Sequence, residues 1–221
     1  MSGSQAFARR ADPRGRLGLR RRFFALTYDR QLAKVEQAGL QALRQRLLAD
    51  ATGRVLEVGG GTGANLPFYG PGVESLTITE PEPAMLRRLE RRVSEQAPQT
   101  KVLRAPAEDL PFDDDSVDVV VSTLVLCGVD DQTQALRELR RVLRPGGRLI
   151  FIEHVRSDEP GLARWQDRLN GLNRFVACCD CNRRTLASIK AEGFEVKDVK
   201  HTRLNKVPRF VSPLIAGTAT A

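Results

Sequence analysis

The chain has 221 residues, 41% of them hydrophobic, with 35 Lys and Arg against 27 Asp and Glu, a net charge of +8. That length suits one α/β domain with a sizeable core rather than several domains. No run reaches the roughly 20 apolar residues of a membrane-spanning helix, and the start lacks the apolar stretch of a secretory signal, so the expectation is a cytoplasmic protein.

In chain order, residues 1–22 come first and are basic. Arg9, Arg10, Arg14, Arg16, Arg20, Arg21 and Arg22 stand against a single acid, Asp12. The expectation is a solvated tail, with weak contact to an anionic membrane as its functional alternative. Arg-rich, acid-poor starts also occur in mitochondrial presequences. No aromatic side chains are interleaved with these Arg residues, so nucleic acid is not an expected partner.

Residues 23–49 read as a helix, with Leu32, Val35, Gly39, Leu43 and Leu47 recurring on one face. A first strand, 54–58, runs into the cluster Gly59-Gly60-Gly61-Thr62-Gly63, where a further helix is expected to start and to stop before Gly70-Pro71-Gly72. Strands then follow at 75–79, 101–105, 117–121 and 148–155. The apolar run 117–121 has the character of a central parallel strand covered on both faces. Helices are expected at 82–96, with Ala84, Met85, Leu89 and Val93 inward, and at 133–143, stopped by Pro145-Gly146-Gly147. Beyond His154 the rhythm changes to helices near 163–172 and 185–192, then two strands, 194–203 and 209–216, closing an antiparallel hairpin on the sheet edge. Alternating strands and helices predict an α/β, Rossmann-like doubly wound sheet. The expected division is a helical segment (23–50), a core of alternating strands and helices (51–155) and the later helices with the hairpin (156–221).

The sharpest chemical signal is Glu57-Val58-Gly59-Gly60-Gly61-Thr62-Gly63-Ala64-Asn65. Glycines after a strand let the backbone approach a ligand closely. Gly59-x-Gly61-x-x-Ala64 also satisfies a relaxed dinucleotide pattern, and Glu80 stands where an acid would grip ribose hydroxyls. Glu57 separates the readings. A carboxylate at the strand tip would repel a pyrophosphate but suits a cationic ligand without phosphate, such as S-adenosyl-L-methionine. Its carboxylate could be met by free amides at the following helix start. Met85 is placed to pack on the adenine face, and an acid in Ala107-Glu108-Asp109-Leu110-Pro111-Phe112 to accept from the adenine amino group. A nicotinamide dehydrogenase is the rival reading.

The cysteines are Cys127, Cys178, Cys179 and Cys181, and the histidines His154 and His201. Cys178 and Cys181 form one C-x-x-C with no second pair of matching spacing, so reduced thiols are expected and no metal. A redox pair or a substrate-lining thiol is the alternative. His154, at the carboxyl end of the fifth strand, is the candidate general base. A histidine that only hydrogen-bonds a neighbouring loop is the other reading.

Together, Glu57 to Gly63, Glu80, the Ala107–Phe112 segment with Asp113 to Asp118, and Arg141-Val142-Leu143-Arg144-Pro145-Gly146-Gly147 resemble class I S-adenosylmethionine-dependent methyltransferases. The resemblance covers about residues 50 to 155. It implies a seven-stranded sheet with strand seven antiparallel. It also implies cofactor contacts at Tyr28, Glu57, Gly59, Gly61, Gly63, Asn65, Glu80, Pro81, Met85, Ala107, Glu108, Asp109, Thr123 and Leu124. Gly63-Ala64-Asn65, Ser122 to Cys127, Glu153-His154-Val155 and Cys181-Asn182 are further similar to the methyltransferase-like thiol S-methyltransferases. Where that family begins with a hydrophobic anchor, this chain carries polar, Arg-rich sequence. The place after the fourth strand reads Ser122-Thr123-Leu124-Val125 rather than the Asn/Asp-Pro-Pro-aromatic motif of amino methyltransferases. The expected acceptor is therefore a small hydrophobic thiol or hydroxyl compound. Quinone or natural-product C-methylation, RNA methylation and non-catalytic cofactor binding stay open.

Overall fold

The computed structural model describes residues 29–30 and 32–221. Residues 1–28, with Tyr28 and the Arg-rich run, and residue 31 lie outside the described residues. The strands are β1 (Gly53–Val58), β2 (Val73–Thr79), β3 (Lys101–Leu103), β4 (Val117–Thr123), β5 (Leu143–His154), β6 (Glu195–Arg203) and β7 (Pro213–Thr220). They form one seven-stranded sheet in the order β3-β2-β1-β4-β5-β7-β6. β7 runs antiparallel to both β5 and β6, and the other pairings are parallel. The helices are α1 (Gln41–Leu48), α2 (Pro83–Gln96), α3 (Gln132–Val142), α4 (Pro160–Ala177) and α5 (Thr185–Ala191).

The centre of the sheet is β1 and β4, whose Leu56, Val119, Val120 and Val121 are essentially inaccessible. One face packs on α3 through Ala135, Leu136, Leu139 and Val142. The other lies under Leu48 and Ala51 at the end of α1. Arg141 ties α3 to the segment after β3. Its guanidinium donates to the carbonyls of Leu110 and Phe112 and pairs with Glu138, whose carboxylate accepts from the Leu110 amide at 2.9 Å. The Arg141 bonds hold the Glu138 carboxyl below its usual range.

Three expectations are corrected. No α-helix follows the glycine cluster, only a 3₁₀ turn, Leu66–Phe68, because Pro67 and Gly70-Pro71-Gly72 leave room for a single turn. Free amides of a following α-helix therefore play no part here. The helix predicted to run unbroken to residue 49 is interrupted by a π-helical turn, Glu36–Leu40, in which Gly39 takes φ 133. β7 begins at Pro213 rather than Arg209, since Arg209 and Phe210 belong to the connecting turn. It is also the inner strand of the hairpin, with β6 outside it.

Parallel strands bring β1 and β4 side by side while their chains wind away in opposite directions, which opens a crevice at their carboxyl ends. Val58 pairs with Ser122 in register, so the glycine cluster and Thr123-Leu124 face each other across it. Gly60 is where the loop passes closest to the sheet: a Cβ there would lie 2.2 Å from Ile78 Cγ2. Gly171, exposed within α4, has nothing within 4 Å. Gly60→Ala is therefore expected to cost about 1–3 kcal/mol through overpacking. Gly171→Ala should stabilise by about 0.5–1 kcal/mol through helix propensity. Denaturant titrations of the two variants check the opposite signs.

Candidate active site

Glu57 is the last acidic side chain before the glycine cluster, and it is buried at 2% exposure. One carboxylate oxygen accepts from Asn65 Nδ2 at 3.0 Å and the other from the Tyr69 hydroxyl at 2.6 Å. Burial raises its pKa to about 7, against the lowering pull of those hydrogen bonds and of the Arg44 charge. The same burial, with the Glu57 charge beside it, lifts the Tyr69 hydroxyl well above its ordinary value, so Tyr69 is a fixed donor.

Glu80, beyond the tip of β2, is also buried. Its two oxygens accept from the amides of Gly61 and Glu82, each at 2.8 Å, which anchors the glycine loop to the start of α2. Desolvation raises its pKa, partly offset by those two amides. Two carboxylates at low dielectric thus flank a loop whose Gly59, Gly61 and Gly63 all take positive φ. At Gly59 a Cβ would also meet Val125 at 2.7 Å. A carboxylate crevice floored by bare backbone accepts a cation and disfavours an anion.

Asn65 is the hub. Its Oδ1 accepts from Arg44 at 2.5 Å, while its Nδ2 donates to Glu57 and, at 3.2 Å, to the Thr123 hydroxyl. The donors and acceptors around it admit only this amide orientation. Arg44, 3% exposed, is paired in turn with Glu36 at 3.0 Å. Farther out, Asp29 accepts from the Thr62 hydroxyl at 2.6 Å and from Arg88 at 2.6 Å, which joins the N-terminal helix to the glycine loop and α2.

At the end of β5, Glu153 is fully buried. It accepts from the Ser122 hydroxyl at 2.8 Å and from the amides of Val125 and Cys127. This fixes the loop after β4, in which Leu124 is held at φ 60. Beside it, His154 Nδ1 faces the thiols of Cys127 and Cys179 at 3.6 and 3.5 Å. Burial pulls the His154 pKa down, but the Cys127 thiol and the Glu153 charge outweigh it and leave it raised.

Comparison with known proteins identifies the family. Residues 56–151 fit the family described as methyltransferase domain. The human thiol S-methyltransferase TMT1A is 33% identical over 203 residues, spanning 89% of this chain and 82% of that protein. This chain belongs to the class I S-adenosylmethionine-dependent methyltransferases. The human thiol S-methyltransferase TMT1B is 46% identical over 113 residues, 49% of this chain and 46% of that protein. A SAM-dependent methyltransferase from Thermotoga maritima, described as a possible histamine N-methyltransferase, superposes with a TM-score of 0.68 at 24% identity. It covers 91% of this chain and 98% of that one, and shows the shared fold.

In this methyltransferase the sequence-marked residues Glu57, Gly59, Gly61, Gly63, Asn65, Glu80, Thr123 and Leu124 do come together. Met85 is buried on the inner face of α2, and Pro81 is exposed at its entrance. Ala107 is packed into the core. Glu108 turns to the amides of Asp130 and Asp131, at 2.8 and 3.3 Å, ahead of α3, and Asp109 is exposed. Tyr28 lies outside the described residues. Arg44, Tyr69, Asp29 and Glu153 carry structure in the site and are not among the expected cofactor contacts. Two of them had a readable signal. Arg44 falls within the apolar stripe Leu40, Leu43, Leu47, and Glu153 directly ends the apolar run Leu149 to Ile152. Replacing Arg44 by Met leaves Glu36 and Asn65 without their shared donor. The expected cost is near the lower end of the roughly 3–5 kcal/mol for a broken buried pair, to be read from equilibrium unfolding.

Proposed function

We propose that this methyltransferase transfers the methyl group of S-adenosylmethionine in line to a small hydrophobic thiol or hydroxyl compound. One observation carries the reading of the donor site. Glu57 and Glu80 are buried at the ends of adjacent strands with no cationic side chain paired directly to either among the described residues. A ligand bearing positive charge and no phosphate completes that arrangement.

In this reading Glu57 and the glycine loop hold the methionine end and Glu80 holds the ribose hydroxyls. Met85 and the Ala107 to Asp109 segment border the adenine. Asn65 is a positioning residue: all three of its side-chain bonds go to protein, and one of them orients Glu57. When bound, S-adenosylmethionine supplies an electrophilic methyl on a sulfonium. The chain then has to orient an acceptor and exclude water, an effect worth up to about 7–11 kcal/mol.

A thiolate acceptor needs little base catalysis. That fits the geometry of His154. Its Nδ1 faces the two thiols and its Nε2 is buried with no hydrogen-bond partner among the described residues, so neither ring nitrogen is open to an acceptor. The fold also carries a cavity of about 480 Å³ lined by Leu162, Trp165, Leu169 and Phe210, with Glu159 and Arg209, an apolar surface of the kind a hydrophobic acceptor needs. The apolar Leu124-Val125 after β4 points the same way.

Two measurements test the proposal. With a panel of small thiols, phenols and quinols and a labelled methyl donor, transfer is expected to be fastest to apolar thiols. Label appearing only on quinol carbon would replace this reading with C-methylation. Binding of adenosylhomocysteine, whose ammonium is the cation, should track Glu57. A cation favours the carboxylate form, so affinity rises with pH up to about 7, where the empty-site carboxyl titrates, and levels off above it. The slope below is at most about tenfold per pH unit, with proton release on binding. Glu57→Gln should weaken binding and flatten the profile, as calorimetry in buffers of different ionisation heat will read. A wild-type profile with no slope below pH 7 removes Glu57 from the ligand.

A further inference from the structure

The Cys178–Cys181 spacing that stands out in the sequence is not the pairing the fold makes. Instead Cys127, from the loop after β4, His154, at the end of β5, and Cys179, just past α4, converge. Their Sγ, Nδ1 and Sγ atoms all lie within 4.8 Å of one another. All three residues are buried, at 1%, 8% and 7% exposure.

The surroundings are built to hold them there. Cys178 ends α4 in the left-handed conformation, φ 54, which turns the chain inward. The Cys179 carbonyl accepts from Asn173 at 2.6 Å. The Cys127 carbonyl accepts from the Asp180 amide at 2.7 Å. The Asp180 carboxylate is pinned by Asn170, Arg174 and Arg183 at 2.6–2.8 Å. Arg183 also donates to the carbonyls of Leu126 and Val129. The segments bearing both thiols are thus cross-linked by hydrogen bonds, and the buried Glu153 fixes the Cys127 amide from the other side.

The distances fit one chemistry closely. Zinc–sulfur bonds of about 2.3 Å and zinc–nitrogen bonds of about 2.0–2.1 Å at a tetrahedral angle place nitrogen about 3.5 Å from each sulfur. Here His154 Nδ1 lies 3.6 Å from the Cys127 Sγ and 3.5 Å from the Cys179 Sγ. Two thiolates and a neutral imidazole also balance a divalent cation to zero net charge, which keeps burial affordable. On the far side of the ring, His154 Nε2 is buried with no hydrogen-bond partner among the described residues.

We propose that Cys127, His154 and Cys179 form a thiophilic metal site for Zn²⁺, with three protein ligands and the fourth position taken by water or another small ligand. On binding, each thiol loses its proton to solvent as its sulfur takes the metal, and no electron changes hands. This assignment goes beyond the methyl-transfer reading and does not rest on it.

The test uses the untagged full chain, reduced and stripped with chelator, and Co²⁺ as the probe. One equivalent should bind with thiolate-to-metal charge-transfer absorption and the visible bands of a tetrahedral centre, and Zn²⁺ should displace it. Cys127→Ser and Cys179→Ser should each weaken binding by more than the about 10–100-fold typical of losing an outer-sphere partner. Cys178→Ser should leave the spectrum in place. Because the wild-type spectrum is read first, a variant that fails to fold does not blunt the test. A folded wild-type protein without the charge-transfer band overturns the proposal, as does a band that persists in both serine variants. Failure to bind Co²⁺ with ready closure of a Cys127–Cys179 disulfide under mild oxidant overturns it in favour of a redox pair.

Discussion

The structure turns on a carboxylate kept out of water. Glu57 sits at the tip of β1 with its oxygens given to an amide and a phenol, neither of which carries charge. A direct Arg44–Glu57 pair would have neutralised the crevice. Asn65 stands between them instead, so the guanidinium lowers the Glu57 pKa only from a distance and desolvation dominates. Burial lifts that carboxyl to about 7. In the proposed reading a cationic ligand draws the proton off and binds the carboxylate. In that reading the crevice selects through an unsatisfied electrostatic demand, in a place where the loop backbone leaves no room for a side chain at Gly60.

Around that demand the fold is fastened at two depths. Arg44 and Asn65 join the N-terminal helical segment to the centre of the sheet through bonds inaccessible to solvent, where breaking one partner is costly. Asp29 joins the same segment to the buried Thr62 hydroxyl, and to Arg88 and Arg92 through side chains that are about one-third exposed. Exposed ion pairs of this kind contribute about 0–1 kcal/mol each. The deep attachment holds the helix in register with the sheet, while the outer one can open at little cost over the glycine loop.

Glu153 does for β4 what Glu80 does for β1. Each is a buried acid at or just past a strand end, and each accepts backbone amides from a loop that has to adopt an unusual path: Gly61 at positive φ in one case, the segment following Leu124 in the other. A carboxylate accepts from several amides at once, and such charge-assisted bonds are about twice as strong as neutral ones. This is how two irregular loops come to face each other in a fixed shape.

The sequence by itself determined the alternation of strands and helices, the doubly wound sheet with an antiparallel last pair, the glycine loop, and the acids Glu57 and Glu80 beside it. These are local properties: periodicity reports which face is buried, and glycine clusters report where backbone must bend or approach closely. Only the tertiary structure decided which partners those residues have. Asn65 has the position of a ligand contact in sequence, yet its amide is consumed by Arg44, Glu57 and Thr123. Glu108 is expected to accept from the adenine, and one of its oxygens also accepts from the amides of Asp130 and Asp131 before α3. Cys178 and Cys181 have the familiar spacing, yet Cys179 is the one delivered to Cys127 and His154, because a left-handed turn at the end of α4 reverses the chain. Each of these outcomes depends on contacts between residues 20 to 60 positions apart, and side-chain spacing along one element carries no record of them.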